Sequence, residues 1–146
     1  SRVGIECPTI MFDDKTDIIE VIKNCKKKDK IDCLLIDEAQ FMTRDQVLQL
    51  CTVIDEMNIP CIAYGLRTDF RGELFPGSQA PLSFADSIEE LKTICWCGKK
   101  AIMNTRIKDG KAIYHGEQVQ IGGNESYISL CRKHWREGKI SENLKD

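Results

Sequence analysis

The chain has 146 residues, 42% hydrophobic and 30% charged, so it fits one globular domain, or a core with a small satellite lobe, and is not disordered. Its formal net charge of -2 provides no global basic field, which argues against nucleic-acid binding through bulk electrostatics. The apolar runs are far shorter than the roughly 20 residues that cross a bilayer, and no segment resembles a signal peptide. We therefore expect a cytoplasmic protein that binds neither membranes nor nucleic acid.

The N-terminal region begins without a periodic pattern. Residues 1–12 resemble a segment joined in the middle of a domain, so we expect further chain before Ser1. Asp13 and Asp14 predict the cap of a helix, and lysines 26–28 complement the dipole at its C-terminal end. We favour a solvated helix end over a nucleic-acid patch for these lysines. The apolar face of this helix is predicted to carry Ile18, Ile19, Ile22 and Cys25.

Two short apolar runs, residues 31–36 and 59–64, predict parallel strands buried inside a sheet. Between them, Thr43 and Gln46 predict a capping box for a helix that continues to Met57. A strand, a helix and a second strand imply a right-handed crossover. The pattern is therefore typical of an α/β protein.

The texture changes after residue 65. Residues 66–79 combine glycines and a proline with phenylalanines, which predicts a long ordered loop beside a binding site. Residues 80–87 predict a short helix and residues 89–93 a strand. Farther on, residues 101–107 and 111–121 predict short strands around a turn at Asp109 and Gly110, followed by a polar tail. This part is expected to form a small β-rich lobe.

Two carboxylates, Asp37 and Glu38, end the first predicted strand. Parallel α/β sheets bind ligands at the carboxyl ends of their strands. An Asp at such a place suits Mg²⁺, and a neighbouring Glu can accept a proton from an attacking hydroxyl. A solvated turn after an apolar run would look the same, and by itself this pair favours the turn.

The eight cysteines divide into two groups. Three of them, Cys95, Cys97 and Cys131, lie in the late part of the chain, with His134 three residues after the last. Two close pairs of such ligands predict a closed, tetrahedral, structural zinc site, and Gly98 supports a tight turn beside it. Two free surface cysteines beside an unrelated histidine are the alternative. The remaining cysteines are interpreted as small hydrophobic side chains in a reducing compartment: Cys7, Cys25, Cys33, Cys51 and Cys61.

A pair of glycines, Gly122 and Gly123, lies between strand-like segments. Such a pair allows the backbone to approach a ligand closely. A plain hairpin turn would have the same sequence, and the residues alone favour neither interpretation.

Three strings taken together resemble the zinc-containing thymidine kinases. They are LLIDEAQF at residues 34–41, YGLRTDFRG at residues 64–72 and IGGNESY at residues 121–127. The resemblance extends from Ser1 to about Trp135, and the bacterial branch is most similar because it also combines CxC with CxxH. It implies a P-loop-type parallel sheet with a small β-rich zinc lobe. The expected division is into residues 1–94 and residues 95–146.

The resemblance implies transfer of the γ-phosphoryl group of ATP to the 5′-hydroxyl of thymidine, in nucleoside salvage for DNA synthesis. Glu38 is implied as the catalytic base, Asp37 as the magnesium ligand, and Asp37, Glu38, Ala39 and Gln40 as the cofactor-binding residues. Zinc is implied at Cys95, Cys97, Cys131 and His134. The implied thymidine-binding residues are Phe41, Leu66, Phe70, Phe75, Gln118, Val119, Gln120, Ile121, Gly122 and Tyr127.

One departure from the family concerns the phosphate-binding loop, since the string GxxxxGK[ST] does not occur in this sequence. We therefore expect a chain that lacks the N-terminal strand and P-loop and whose own activity is doubtful. Asn104 and Gln120, which are more polar than in some relatives, put fine substrate preference in question. The resemblance also implies a homotetramer. A non-catalytic zinc-ribbon interaction module and a different P-loop nucleotidase with a zinc lobe are the alternatives.

Overall fold

A computed structural model of the protein describes residues 9–118 and 126–142. A short 3₁₀ turn, Ala39–Phe41, follows the first strand. Up to residue 92 the helices and strands are α1 (Ile18–Lys26), β1 (Leu34–Ile36), α2 (Arg44–Met57), β2 (Cys61–Ala63) and α3 (Pro76–Phe84). Beyond it they are β3 (Thr93–Ile94), β4 (Lys100–Ala101), β5 (Met103–Lys108), β6 (Lys111–Ile113), β7 (Ser126–Leu130) and α4 (Arg132–Glu137).

Helix α1 is capped by Asp17, whose Oδ1 accepts a hydrogen bond of 2.8 Å from the backbone N–H of Glu20. The predicted cap at Asp13 and Asp14 is therefore wrong. Asp13 instead closes a preceding turn, in which its Oδ1 accepts from the hydroxyl of Thr16 at 2.9 Å. Asp13 and Asp17 both match the capping preference, and the position of the turn before the helix decides that Asp17 is the cap.

Helix α2 begins with the predicted capping box. The Thr43 hydroxyl accepts from the Gln46 N–H at 3.2 Å, and the Gln46 side chain accepts from the Thr43 N–H at 3.0 Å. The amide of Gln46 also donates to the backbone carbonyls of Asp13, at 2.6 Å, and Thr16, at 3.0 Å. The cap thus ties the start of α2 to the turn before α1.

Strands β1 and β2 pair in parallel, with Leu34 opposite Cys61 and Ile36 opposite Ala63, as predicted. Both strands are shorter than the apolar runs that predicted them. Ile36 is buried, whereas Leu35 is 65% exposed and Ile62 is 47% exposed. The prediction of strands buried on both faces is therefore wrong for the described residues, because successive side chains point to opposite faces and the helices cover only one of them.

The segment between β2 and β3 differs from its prediction at both ends. Helix α3 begins at Pro76 and ends at Phe84, so it starts before residue 80 and ends before residue 87, the bounds predicted for it. Proline is favoured in the first turn of a helix because its missing N–H would have no partner there. The strand predicted over residues 89–93 is reduced to Thr93–Ile94.

The last part of the chain is built from short antiparallel pairs. Strand β3 pairs with β4, and a separate sheet has the order β6-β5-β7. The predicted turn is present, with φ of 51° at Asp109 and 72° at Gly110, as a two-residue hairpin turn requires. The second predicted strand is much shorter than expected and ends at Ile113. The helix α4 was not predicted.

Two hydrophobic clusters hold these elements. The first joins α1, β1, α2 and α3, and among its members are Ile22, Leu50 and Val53. The second is small and contains Cys95, Ala101, Leu130 and Cys131. The structure is therefore mixed α/β, while the P-loop type of the sheet stays a prediction. Among the helices of the described ranges, none combines the length and apolar character needed to cross a membrane.

Candidate functional site

The carboxylate pair lies at the C-terminal end of β1, and both side chains are exposed. Glu38 adopts a left-handed backbone conformation with φ of 54°. Its N–H donates to Oδ1 of Asp37 at 2.9 Å, and the N–H of Ala39 donates to the carbonyl of Tyr64 at 2.8 Å. A left-handed conformation at a residue other than glycine costs about 1 to 3 kcal/mol, and it is most often found where the surrounding structure needs it.

The buried Gln40 side chain connects this strand end to the segment after β2. Its amide nitrogen donates to the carboxylate of Glu38, and its Oε1 accepts from the N–H of Leu66 at 3.1 Å. A Cβ at Gly65 would lie 2.9 Å from that same oxygen, so a larger residue there would displace Gln40. The carboxylate of Glu38 is thus held by the Gln40 side chain, whose oxygen is in turn bound by the backbone N–H of Leu66.

Helix α3 packs tightly against the 3₁₀ turn. A Cβ at Gly77 would lie 2.3 Å from the carbonyl oxygen of Gln40 and 2.4 Å from that of Met42, which only glycine avoids. The close approach brings Phe75 edge-on to Phe41, with 5.9 Å between the ring centroids. Phe75 is buried, whereas Phe41 presents part of its ring to solvent. An apolar surface therefore begins beside the carboxylate pair.

Phe70, another residue predicted for the substrate site, packs against a different partner. It is 1% exposed, and the guanidinium of Arg106 lies 3.8 Å from its ring centroid. The carbonyl of Phe70 accepts from the indole N–H of Trp135 at 3.1 Å. The loop between β2 and α3 thus binds Gln40, the partner of Glu38, through Leu66. Through Phe70 it contacts Arg106 of the β5–β7 sheet.

Arg106 on β5 is a buried cation that the sequence analysis missed. It donates to the hydroxyl of Tyr127 at 2.8 Å and to the carbonyls of Glu117, at 3.0 Å, and Gln118, at 3.4 Å. Sequence patterns assign a charged residue in a short strand to the exposed face, so no local signal identified it. Its burial depends on these partners, which are 11 to 21 residues away.

Asp69 is a second buried charge beside the same loop. It accepts from Arg71 Nε at 2.8 Å, from the Glu73 N–H at 3.0 Å and from the Gln118 side chain at 3.1 Å. Burial alone would raise the pKa of Asp69, but these hydrogen bonds outweigh it and lower the pKa below its ordinary value. Gln118, predicted for the substrate site, is thereby joined to Asp69.

The hydroxyl of Thr105 is buried and has no hydrogen-bond partner within the described ranges. An unsatisfied hydroxyl of this kind costs about 1 to 3 kcal/mol. The sequence analysis did not identify Thr105, because threonine is common in strands for packing reasons alone.

The four predicted metal ligands lie together. The ligand atoms of Cys95, Cys97, Cys131 and His134 are all within 4.8 Å of one another. Cys95 Sγ is 3.4 Å from His134 Nδ1, and Cys97 Sγ is 4.0 Å from Cys131 Sγ. Ligand atoms of a tetrahedral zinc with bonds near 2.3 Å are separated by about 3.8 Å, so this set of three sulfurs and one nitrogen fits the ion.

Two tight backbone arrangements produce this cluster. After Cys95 the chain turns through Gly98, whose φ is 81°, and the N–H of Cys95 donates to the carbonyl of Lys99 at 2.8 Å. On the other side, Cys131 caps α4, so that His134 follows one helical turn later. The Trp96 ring stacks on His134 with 4.1 Å between centroids, which fixes the imidazole plane.

The thiol of Cys95 is suited to bind a metal. Burial alone would raise the pKa of Cys95, but hydrogen bonds from the N–H groups of Cys97 and Cys131 and from His134 lower it to about 6. A thiol with that pKa is mainly thiolate at neutral pH, and the thiolate is the form that binds zinc.

The predicted site residues thus fall into groups. Glu38, Gln40 and Leu66 are joined by hydrogen bonds, Phe41 contacts Phe75, and the third group contains Phe70, Gln118 and Tyr127 around Arg106. Four predicted residues lie outside the described ranges: Val119, Gln120, Ile121 and Gly122. The glycine-pair hypothesis for Gly122 and Gly123 lies outside them too.

Comparison with known proteins adds independent information. A family model described as thymidine kinase matches residues 1–135. The thymidine kinase of Photorhabdus laumondii is 52% identical over 149 residues, which cover 100% of this chain and 74% of that protein. The thymidine kinase of Legionella pneumophila strain Paris is 53% identical over 146 residues, covering 99% of this chain and 70% of that protein.

A third relative, the thymidine kinase of Salmonella typhimurium, is 51% identical over 138 residues, covering 94% of this chain and 67% of that protein. Identities of this size over nearly the whole chain leave no room for a chance match of short motifs. The chain belongs to the thymidine kinase family.

Proposed function

We propose that this chain acts in the transfer of the γ-phosphoryl group of ATP to the 5′-hydroxyl of thymidine, with Glu38 as the general base. Membership of the thymidine kinase family supports the reaction. The observation that carries the residue assignment is the carboxylate of Glu38, which is exposed at a strand end and held by the buried Gln40. A base must be accessible to the hydroxyl that it deprotonates and fixed in direction, and this side chain meets both conditions.

The two neighbouring carboxylates divide the chemistry. Glu38 accepts the proton of the 5′-hydroxyl as the oxygen attacks the γ-phosphorus, the bond from that phosphorus to the β,γ-bridging oxygen breaks, and ADP leaves. The hydrogen bond from Gln40 keeps the Glu38 carboxylate in place. Asp37 would hold Mg²⁺ directly or through water. That ion, when bound, neutralises charge on the phosphate oxygens of ATP. The proposal places the cofactor along residues 37–40, where the chain turns sharply at the end of β1.

The thymidine would lie against the apolar surface that begins at Phe41 and Leu66. Phe75 supports Phe41 from behind, and both Phe41 and Leu66 present apolar surface to solvent. Phe70, Tyr127 and residues 118–122 complete the proposed site, with backbone groups of the last segment pairing with the thymine edge. A base recognised through hydrogen bonds excludes analogues that leave those groups unpaired.

The proposed zinc ion is structural. Three cysteines and one histidine supply a complete tetrahedral set, which leaves no open position for substrate or water. The ion would hold the β3–β4 turn and α4 together, and its binding energy would compensate for the small hydrophobic burial of the second cluster. Its effect on the reaction would therefore be indirect, through the stability of the lobe.

The proposal extends to the organisation of the protein. The two hydrophobic clusters support a division into a kinase domain over residues 1–94 and a zinc lobe over residues 95–146. Family resemblance supports a cytoplasmic homotetramer in nucleoside salvage.

A kinase assay tests the role of Glu38. The chain is joined behind the P-loop segment of a relative, and phosphate transfer to thymidine is measured for Glu38→Gln beside Glu56→Gln, an exposed carboxylate near the end of α2. Glutamine keeps an oxygen that can accept from Gln40, so geometry is retained while basicity is lost. We expect kcat to fall about 10²- to 10⁴-fold for Glu38→Gln and to be unchanged for Glu56→Gln.

Full turnover by Glu38→Gln would show that another group is the base. Calorimetry with thymidine and ATP addresses the broader proposal. If the joined protein is folded and binds neither compound, the non-catalytic zinc-module hypothesis is the better one.

A further inference from the structure

A basic cleft lies between the β3–β4 turn, which carries Cys95 and Cys97, and helix α4. Its volume is about 760 Å³. Ligand sites commonly occupy about 300 to 1,000 Å³. Five cations line this cleft: Lys99, Lys100, Arg132, Lys133 and Arg136.

A second groove, on α1, has a volume of about 520 Å³ and is lined by Lys23, Lys26 and Lys27 together with Glu20, Asn24 and Met57. The α1 groove also carries three lysines and one carboxylate, so it provides a matched control for the basic cleft.

The charges of the basic cleft are only partly balanced. Lys100 forms an ion pair with Glu90, and Lys133 Nζ lies 3.9 Å from a carboxylate oxygen of Glu137, the one acid among the described residues of the wall. Within the described ranges, no ion-pair partner is found for the other cations: Lys99, Arg132 and Arg136. The surplus is therefore positive, although the whole chain has a net charge of -2.

The backbone that carries these cations is well fixed. Lys99 follows the metal-ligand turn, where its carbonyl accepts from the N–H of Cys95 at 2.8 Å. Arg132 directly follows the ligand Cys131, and Ile102 in the wall donates to the carbonyl of Leu130 at 3.0 Å. Arg132 and Arg136 are four residues apart in α4, so they lie on the same side of the helix. The cations thus converge from two segments that the metal cluster holds together.

The chemistry of the wall selects the ligand. Guanidinium groups bind phosphate oxygens in pairs, and several cations around one concave surface suit a compact anion with several charges. No aromatic side chain lines the cleft within the described ranges, so it offers no stacking surface of the kind that single-stranded nucleic acids use. We propose that the basic cleft binds the phosphate chain of a compact polyphosphate, separately from the kinase site.

An NMR titration of the zinc-loaded protein with inorganic tripolyphosphate tests this proposal. We expect backbone shifts concentrated at residues 99–102 and 132–137, with those of residues 37–40 unchanged. The double variant Arg132→Glu with Arg136→Glu should bind at least about tenfold more weakly, because charge-assisted contacts are replaced by repulsion. The matched variant Lys26→Glu with Lys27→Glu changes the net charge equally in the α1 groove, and its affinity should change less than about twofold.

Equal weakening in both variants would overturn the proposal, because net charge alone would then account for binding. The absence of shifts at the cleft would overturn it as well. Tighter binding of a 20-nucleotide single strand, with shifts spread beyond the cleft, would overturn the proposal and show that the ligand is nucleic acid. ATP that shifts the cleft as tripolyphosphate does would support it and identify a nucleotide as the source of the phosphate chain. Zinc content and melting temperature establish that each variant is folded, and Lys99→Gln with Arg136→Gln is the milder substitute.

Discussion

The two hydrophobic clusters show two different ways of holding a fold together. Among the described residues, the first has ten buried members, drawn from α1, β1, α2, α3 and the segments between them. In the same ranges the second has four, two of which are the proposed metal ligands Cys95 and Cys131. Burial of apolar surface can stabilise the first region, whereas the second buries little and would depend on the proposed zinc ion. The comparison teaches that chelation and core mutation should affect different parts of the same chain.

Metal removal should have the largest effect. Structural zinc contributes about 10 to 16 kcal/mol in isolated zinc fingers, so chelation is expected to unfold the region from β3 to α4. The fluorescence of Trp96, which stacks on His134, reports on this region, while the helical signal in far-UV circular dichroism, to which α1, α2 and α3 contribute, should be largely retained. Readdition of zinc should restore the Trp96 signal. Unchanged stability after complete metal removal would contradict a structural role.

A cavity in the first cluster should have the next largest effect. Leu50→Ala in α2 removes a buried side chain, and we expect the free energy of unfolding to fall by about 3 kcal/mol. Leu48→Ala changes the same residue type in the same helix at a position that is 39% exposed, so its cost should be below about 1 kcal/mol. Urea unfolding measures both. Equal losses would mean that Leu50 is not part of the stabilising core.

Arg106 connects the loop between β2 and α3 to the β5–β7 sheet, because its guanidinium contacts Phe70 on one side and Tyr127 on the other. Arg106→Met should lower the free energy of unfolding by about 2 to 3 kcal/mol, since buried hydrogen-bond acceptors lose their donor. Arg44→Met provides the control, because Arg44 is exposed and lies 5.1 Å from the Phe84 ring centroid. Its cost should be below about 1 kcal/mol. A tolerated Arg106→Met would show that this connection does not stabilise the fold.

Asp69 should give the smallest effect, visible as a pH dependence. Its pKa is lowered in the folded protein, so its contribution to stability is present above the unfolded pKa of about 3.9 and is lost as pH falls through the lower folded value. Because asparagine does not titrate, the free energy of unfolding of the Asp69→Asn variant should fall less steeply than that of the original chain as the pH drops below about 4. Urea midpoints measured across this range, with the exposed Asp55→Asn as control, test the prediction. Parallel curves for Asp69→Asn and the original chain would contradict it.

Features set by neighbouring residues could be predicted from the sequence. The capping box of Thr43 and Gln46, the parallel pairing of β1 with β2 and the turn at Asp109 all depend on local patterns, and all are present. The two close pairs Cys95 with Cys97 and Cys131 with His134 were likewise predicted as metal ligands, although the fold brings the pairs together across 34 residues. The sequence strings also identified the family to which the chain belongs.

Features that depend on distant partners were decided by tertiary structure alone. Arg106 and Asp69 look like ordinary surface charges in the sequence, and they are buried because Tyr127, Gln118 and Arg71 satisfy them. The exposed face of β1 likewise depends on which elements pack against it. Local patterns record the preference of a residue for helix, strand or turn, but burial is a sum over contacts made across the whole chain. For that reason the capping box of α2 and the two close pairs of metal ligands could be inferred from the sequence, whereas the charged connection between the β2–α3 loop and the β5–β7 sheet required the fold.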